Sequence, residues 1–125
     1  MINQLGQVML YVDNQDKVKQ FWTEKAGFVV ISETDYGQGM KAIEIAPTKE
    51  SETSFVLHNK EIIAKMNPGM NLETPSLMFY TKNIDELYAN FKDKRITVGE
   101  LVDMPMGRVF NFADDEGHYF AVMEK

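Results

Sequence analysis

The stretch 7–28, QVMLYVDNQDKVKQFWTEKAGF, decides the fold, because its pattern returns at 76–97 as SLMFYTKNIDELYANFKDKRIT. With a constant offset of 69 residues, Met9 falls on Met78, Tyr11 on Tyr80, Asn14 on Asn83, Asp16 on Asp85 and Lys25 on Lys94. Identities are few, but the pattern agrees: an alternating apolar strand, an Asn, then an amphipathic helix in which Val18 matches Leu87 and Trp22 matches Phe91. Two copies indicate a duplicated module; a solenoid needs three or more.

Outward from the first copy, Val8, Leu10 and Val12 alternate with Gln7, Met9 and Tyr11, so the strand has one face of each kind. Asp13 or Asn14 is placed to cap the helix, whose buried stripe is Val18, Phe21, Trp22 and Ala26, and Gly27 stops it. Strands are predicted at 28–34, 40–46 and 53–58, with a Tyr36-Gly37-Gln38-Gly39 turn between the first two. The first module, 1–58, therefore reads β-α-β-β-β. Residues 59–74 form a linker, with a short helix over 60–66 ended by Asn67-Pro68-Gly69. The second module, 75–125, repeats the order: strand 75–81, a helix to about Arg95 opened by Asn83 and Glu86, then strands 96–102, 108–113 and 118–124.

Composition narrows the class. A chain of 125 residues with 44% hydrophobic content has enough apolar material for one core or two packed halves. It has no cysteine, which removes disulfides, thiol nucleophiles and Cys-based metal sites. Its net charge of −6, with both signs interspersed, argues against nucleic acid. The opening residues lack the pattern of a signal peptide and no stretch is long enough to cross a membrane, so the expectation is a cytoplasmic protein without a membrane partner.

The two copies, together with FNFADDEGHYFAVME at 110–124, resemble the vicinal oxygen chelate superfamily of glyoxalases, bleomycin-resistance proteins and extradiol dioxygenases. The closing hairpin is similar to that family's F-x-D-P-D-G, with Asp115 at the proline position and Glu116 as the second acid. The resemblance covers nearly the whole chain. It implies an α+β fold in which two βαβββ modules form a curled mixed sheet around a cavity. It is specific for fold and weak for function, since one fold carries many chemistries.

In the family's metalloenzymes, inward-facing ligands for one divalent ion come from the first and last strands of each module. The resemblance places those positions at Gln7, Val56, Ser76 and Ala121. An amide oxygen is an acceptable ligand, but Val and Ala have no donor atom and a lone serine hydroxyl is a poor one. The expectation is therefore no metal and no other cofactor. His58 shares a face with Val56 and reads either as the remnant of a shifted site, a base, a donor to a ligand, or a half-exposed strand-end residue with no role. His118 is expected at the surface. Asp114, Asp115 and Glu116 read as turn chemistry, and Arg108 as an anion contact or a solvated charge.

Strand alternation gives the expected ligand-binding wall: Gln7, Met9 and Tyr11; Ser54, Val56 and His58; Ser76, Met78 and Tyr80; Tyr119, Ala121 and Met123. Tyrosines offer ring faces with a polar tip and methionines adapt to irregular shapes, so the wall suits a flat, mostly apolar molecule. The competing reading is a barrel filled by its own side chains. Three functions follow. The favoured one is a metal-independent protein that binds or sequesters a small, apolar or aromatic molecule, as the bleomycin-resistance proteins do, with no catalysis. The alternatives are a divalent-metal enzyme of glyoxalase or dioxygenase type, and an interaction protein with a vestigial cavity. A homodimer is expected, because open sheets expose edges and the family commonly pairs.

Overall fold

The computed structural model describes all residues, Met1–Lys125, as two compact units, Met1–Glu73 and Thr74–Lys125. The first contains β1 (Gln7–Val12), α1 (Gln15–Gln20, continued as a π-helical turn over Phe21–Lys25), β2 (Val29–Gly37), β3 (Met40–Ala46), β4 (Ser54–Asn59) and α2 (Lys60–Met66). The second contains β5 (Met78–Thr81), α3 (Ile84–Asp93), β6 (Thr97–Val98), β7 (Val102–Met104), β8 (Gly107–Ala113) and β9 (Tyr119–Glu124).

The repeat is visible in the topology. The first sheet runs β1-β4-β3-β2 and the second β5-β9-β8-β6, with β7 also on β8. In each, the strand before the helix pairs in parallel with the last strand of the unit, and every other pairing is antiparallel. The α+β class and the βαβββ order are as the repeat predicts. The strands form two separate hydrogen-bonded sheets, each with free edges.

Side-chain period fixes which face each helix covers. In the first unit, Leu10, Val12, Ile43, Ile45, Phe55 and Leu57 are buried together with Val18, Phe21 and Trp22 of the helix. Trp22 is fully buried and meets Phe21 and Phe55 edge-on and Phe28 at a tilt. The π-helical turn places the consecutive residues Phe21 and Trp22 both inside. Gln15 locks the helix start: its Nε2 donates to the carbonyls of Lys41 and Leu57, 2.8 Å each. In the second unit, Phe110, Phe112, Phe120 and Val122 are buried with Ile84 and Phe91.

All three helices open on an asparagine whose Oδ1 accepts from the third residue on: Asn14 from Lys17, Asn59 from Ile62, Asn83 from Glu86. Such caps satisfy one of the N–H groups that a helix start leaves without a partner. Asn83 Nδ2 also donates to Glu86 Oε2, and Glu124 Oε2 accepts from the Ile84 N–H. At the β2–β3 turn Gly37, Gln38 and Gly39 all take positive φ, which two glycines make cheap.

Two predicted strands are shorter than their patterns. The segment 96–102 splits into β6 and β7 around Gly99, whose N–H still reaches the Asn111 carbonyl at 2.8 Å. β5 begins at Met78, which leaves Ser76 exposed and outside the strand. No helix is long and apolar enough to cross a membrane.

Candidate functional site

α1 covers one face of the first sheet and α3 one face of the second, and the alternate residues form the opposite face; on that opposite face of the first sheet Ser54 and Val56 are buried. In the first unit that face carries Gln7, Met9 and Tyr11 of β1, Ser54, Val56 and His58 of β4, Ala42 and Glu44 of β3, and Ser32 of β2. Pairing within the sheet sets their order. Gln7 lies beside Ser54; Met9 beside Val56, which lies beside Glu44, which lies beside Ser32; Tyr11 beside His58, which lies beside Ala42.

One end of the face is aromatic and soft. The Tyr11 and His58 rings stack with centroids 5.9 Å apart and planes 24° from parallel. His58 Nε2 sits 3.3 Å from Met9 Sδ. Burial holds the His58 pKa below its usual value, which favours the neutral imidazole. His58 is thus half-buried and stacked on Tyr11.

The other end is polar and centres on Glu44. Its Oε2 accepts from the Ser54 hydroxyl at 2.6 Å and from Gln7 Nε2 at 3.3 Å, and its Oε1 from the Ser32 hydroxyl at 3.2 Å. The Ser54 hydrogen bond holds the Glu44 pKa below the ordinary value against the opposing effect of burial, and Gln7 and Ser32 add to it. Sequence reasoning missed Glu44. It lies on the third strand, which supplies no ligand in the family's metal pattern, although its position between Ile43 and Ile45 marks the face opposite the helix.

In the second unit the corresponding face carries Met78, Tyr80, Ala121 and Met123, with Tyr119 at its end and Asn111 in the place that Glu44 has in the first. Met78, Tyr80 and Tyr119 are exposed, and Lys125 Nζ lies 4.8 Å above the Tyr80 ring. Two shallow depressions lie in this unit, one on Thr81, Asn83, Glu86 and Asn90 beside α3, the other at the edge of this face on Tyr80, Lys82 and Lys125.

The remaining candidates are structural. Arg108 lies on the helix side of β8 and makes a two-pronged bond to Asp85, 2.8 and 3.1 Å, with Asp103 at 3.3 Å, so its guanidinium is already paired with carboxylates. Asp114 is buried in the β8–β9 turn, where its Oδ1 accepts from the Glu116 and His118 N–H groups and its Oδ2 lies 2.7 Å from His118 Nδ1. That is turn chemistry, and it ties His118 down in a half-buried position.

The family pattern Glyoxalase/Bleomycin resistance protein/Dioxygenase superfamily matches residues 4–122. The chain belongs to this superfamily. A curated relative, the uncharacterized protein YetH of Bacillus subtilis (strain 168), is 34% identical over 125 residues, 99% of this chain and 100% of YetH. Among solved structures, TnmS3, an antibiotic binding protein from Streptomyces sp. CB03234, superposes with a TM-score of 0.82 at 25% identity, covering 98% of this chain and 96% of TnmS3. A superfamily member from Sphaerobacter thermophilus DSM 20745 superposes with a TM-score of 0.83 at 21% identity, covering 99% of this chain and 98% of that one, and shares the fold.

The superfamily's enzymes imply a divalent ion, and the residues present do not fit one. In the sheet Gln7 stands opposite Ser54, and Val56 opposite Met9. The amide nitrogen of Gln7 and the hydroxyl of Ser54 are both committed to Glu44. Val56 and Ala121 offer no donor atom, and no group of three His, Asp or Glu side chains is arranged so that it could hold a metal ion.

Proposed function

We propose that this chain binds a small, largely apolar aromatic molecule on the face of its first sheet opposite α1, without a metal ion and without catalysis. The observation that carries this is the Tyr11–His58 stack with Met9 beside it, a neutral and polarisable platform on the face that α1 leaves uncovered. Ring faces and a thioether give contact area to any flat ligand, and stacked pairs contribute about 0.5–1.5 kcal/mol beyond burial. The likeness to an antibiotic binding protein supports the same reading. The second sheet's face, with Met78, Tyr80, Ala121 and Met123, is a surface of the same apolar kind.

Elemental analysis of protein purified without chelator, joined to a thermal-shift screen of aromatic compounds, tests this. The expected result is a rise in melting temperature that survives chelation, with less than a tenth of an equivalent of divalent metal. One equivalent of zinc, nickel, iron or manganese that is lost in Gln7→Ala would instead establish a metalloprotein.

A further inference from the structure

We propose that Glu44 is a cation-recognising pole of this binding face, so that the preferred ligand is an aromatic molecule carrying an amine. The inference rests on the aromatic-binding reading above and adds to it the ligand's charge. Glu44 belongs to an interior strand, between β4 and β2, and projects onto the same face as Met9, Val56 and Tyr11. It is half-buried, yet no Lys or Arg pairs with it; Lys41, on the same strand, projects to the other face and is bound to Asp16 at 3.0 Å.

The groups around the carboxylate are all neutral donors: two hydroxyls and one amide. They orient it and keep it ionised without neutralising it. A carboxylate has about four acceptor positions, and three are filled, two on Oε2 and one on Oε1. The open one is on Oε1. Because Gln7 turns its amide nitrogen to Glu44, its carbonyl oxygen remains as a second acceptor. The pole therefore offers acceptors and one negative charge, which an ammonium complements and a carboxylate opposes. In the second unit the equivalent residue is Asn111, so this charge belongs to the first unit alone.

Calorimetric titration with three naphthalene probes of one shape tests the assignment at pH 7.5: 2-naphthylmethylamine, 2-naphthylmethanol and 2-naphthoate. The wild-type chain is expected to bind the amine at least tenfold tighter than the carboxylate and severalfold tighter than the alcohol. Glu44→Gln should bring the amine to within twofold of the alcohol while the alcohol keeps its affinity. Glu24→Gln, an equal loss of charge at an exposed helical site, should leave the ranking unchanged and so separates the pole from the general pull of a −6 protein. If Glu44→Gln does not fold, the wild-type ranking and the Glu24→Gln ranking still decide. An alcohol that binds with no preference for the amine, or a preference that Glu24→Gln removes equally, overturns the inference and leaves the aromatic-binding reading standing. Failure of all three probes on the wild type overturns both.

Discussion

Glu44 links stability to pH through three hydrogen bonds. Its pKa in the folded chain is below the ordinary value of about 4.5, chiefly because of Ser54. As pH falls, the unfolded chain takes up the proton first. The stabilisation is therefore whole above about pH 4.5 and is lost as pH drops through the lower folded value. Glu44→Gln should destabilise the protein at pH 7 by about 1.5–3 kcal/mol, the scale of hydrogen bonds to a charged group. In urea denaturation that gap should close as pH falls below 4.5; a gap independent of pH would mean that the carboxylate's charge contributes nothing. None of this was legible in the sequence. Alternation puts Gln7, Glu44 and Ser54 on faces, but a period of two cannot say which residue of one strand stands beside which residue of another. Gln7 beside Ser54, and Glu44 beside Val56, are such register facts.

At the level of elements, the alternating patterns are legible because α1 and α3 each bury one face of a sheet, so that helix-facing and opposite-facing positions alternate along its strands. Phe120 and Val122 are 3% and 2% exposed, while Ala121 between them faces away from α3 and is half-buried. Ala121→Phe should therefore change stability by less than about 1 kcal/mol, where overfilling a packed core costs about 1–3 kcal/mol; thermal denaturation distinguishes the two. The helix starts are legible in part: Asn83 marks its helix, Asp13 and Asn14 are both open for the first, where Asn14 caps, and Asn59 caps the helix over 60–66. Asn83→Ala should cost about 1 kcal/mol, the usual value for an N-cap, measured by urea denaturation, and Asn83→Asp should retain most of it. Less legible were elements held by distant side chains. Gln15 reaching the carbonyls of Lys41 and Leu57, and Glu124 capping α3, depend on contacts 26 to 42 residues apart. The π-helical turn has no local signature beyond the neighbouring Phe21 and Trp22, both of which must be inside.

For the whole molecule, the duplicated motif carried the architecture, and the family match confirms the superfamily. Its chemistry had to be sought in the side chains, because one fold serves many functions. We propose that the chain pairs as a homodimer. β2 is a nine-residue edge strand, hydrogen-bonded on one side only and exposed along nearly all its length, with Val30, Ile31 and Tyr36 at the surface. Such edges invite symmetric pairing. Sedimentation at micromolar concentration should show twice the 14.4 kDa of one chain, and a monomer would remove the proposal. The central claim is that the face of the first sheet opposite α1 holds an aromatic molecule without metal. Amide and methyl chemical-shift mapping of the chelated protein, titrated with 2-naphthylmethylamine, tests it most directly. The account predicts saturable shifts centred on Met9, Tyr11, Val56 and His58, with contacts from the Met9 methyl to the naphthalene ring. Shifts confined to the depression around Asn83, Glu86 and Asn90, or shifts that require an added divalent ion, would contradict it.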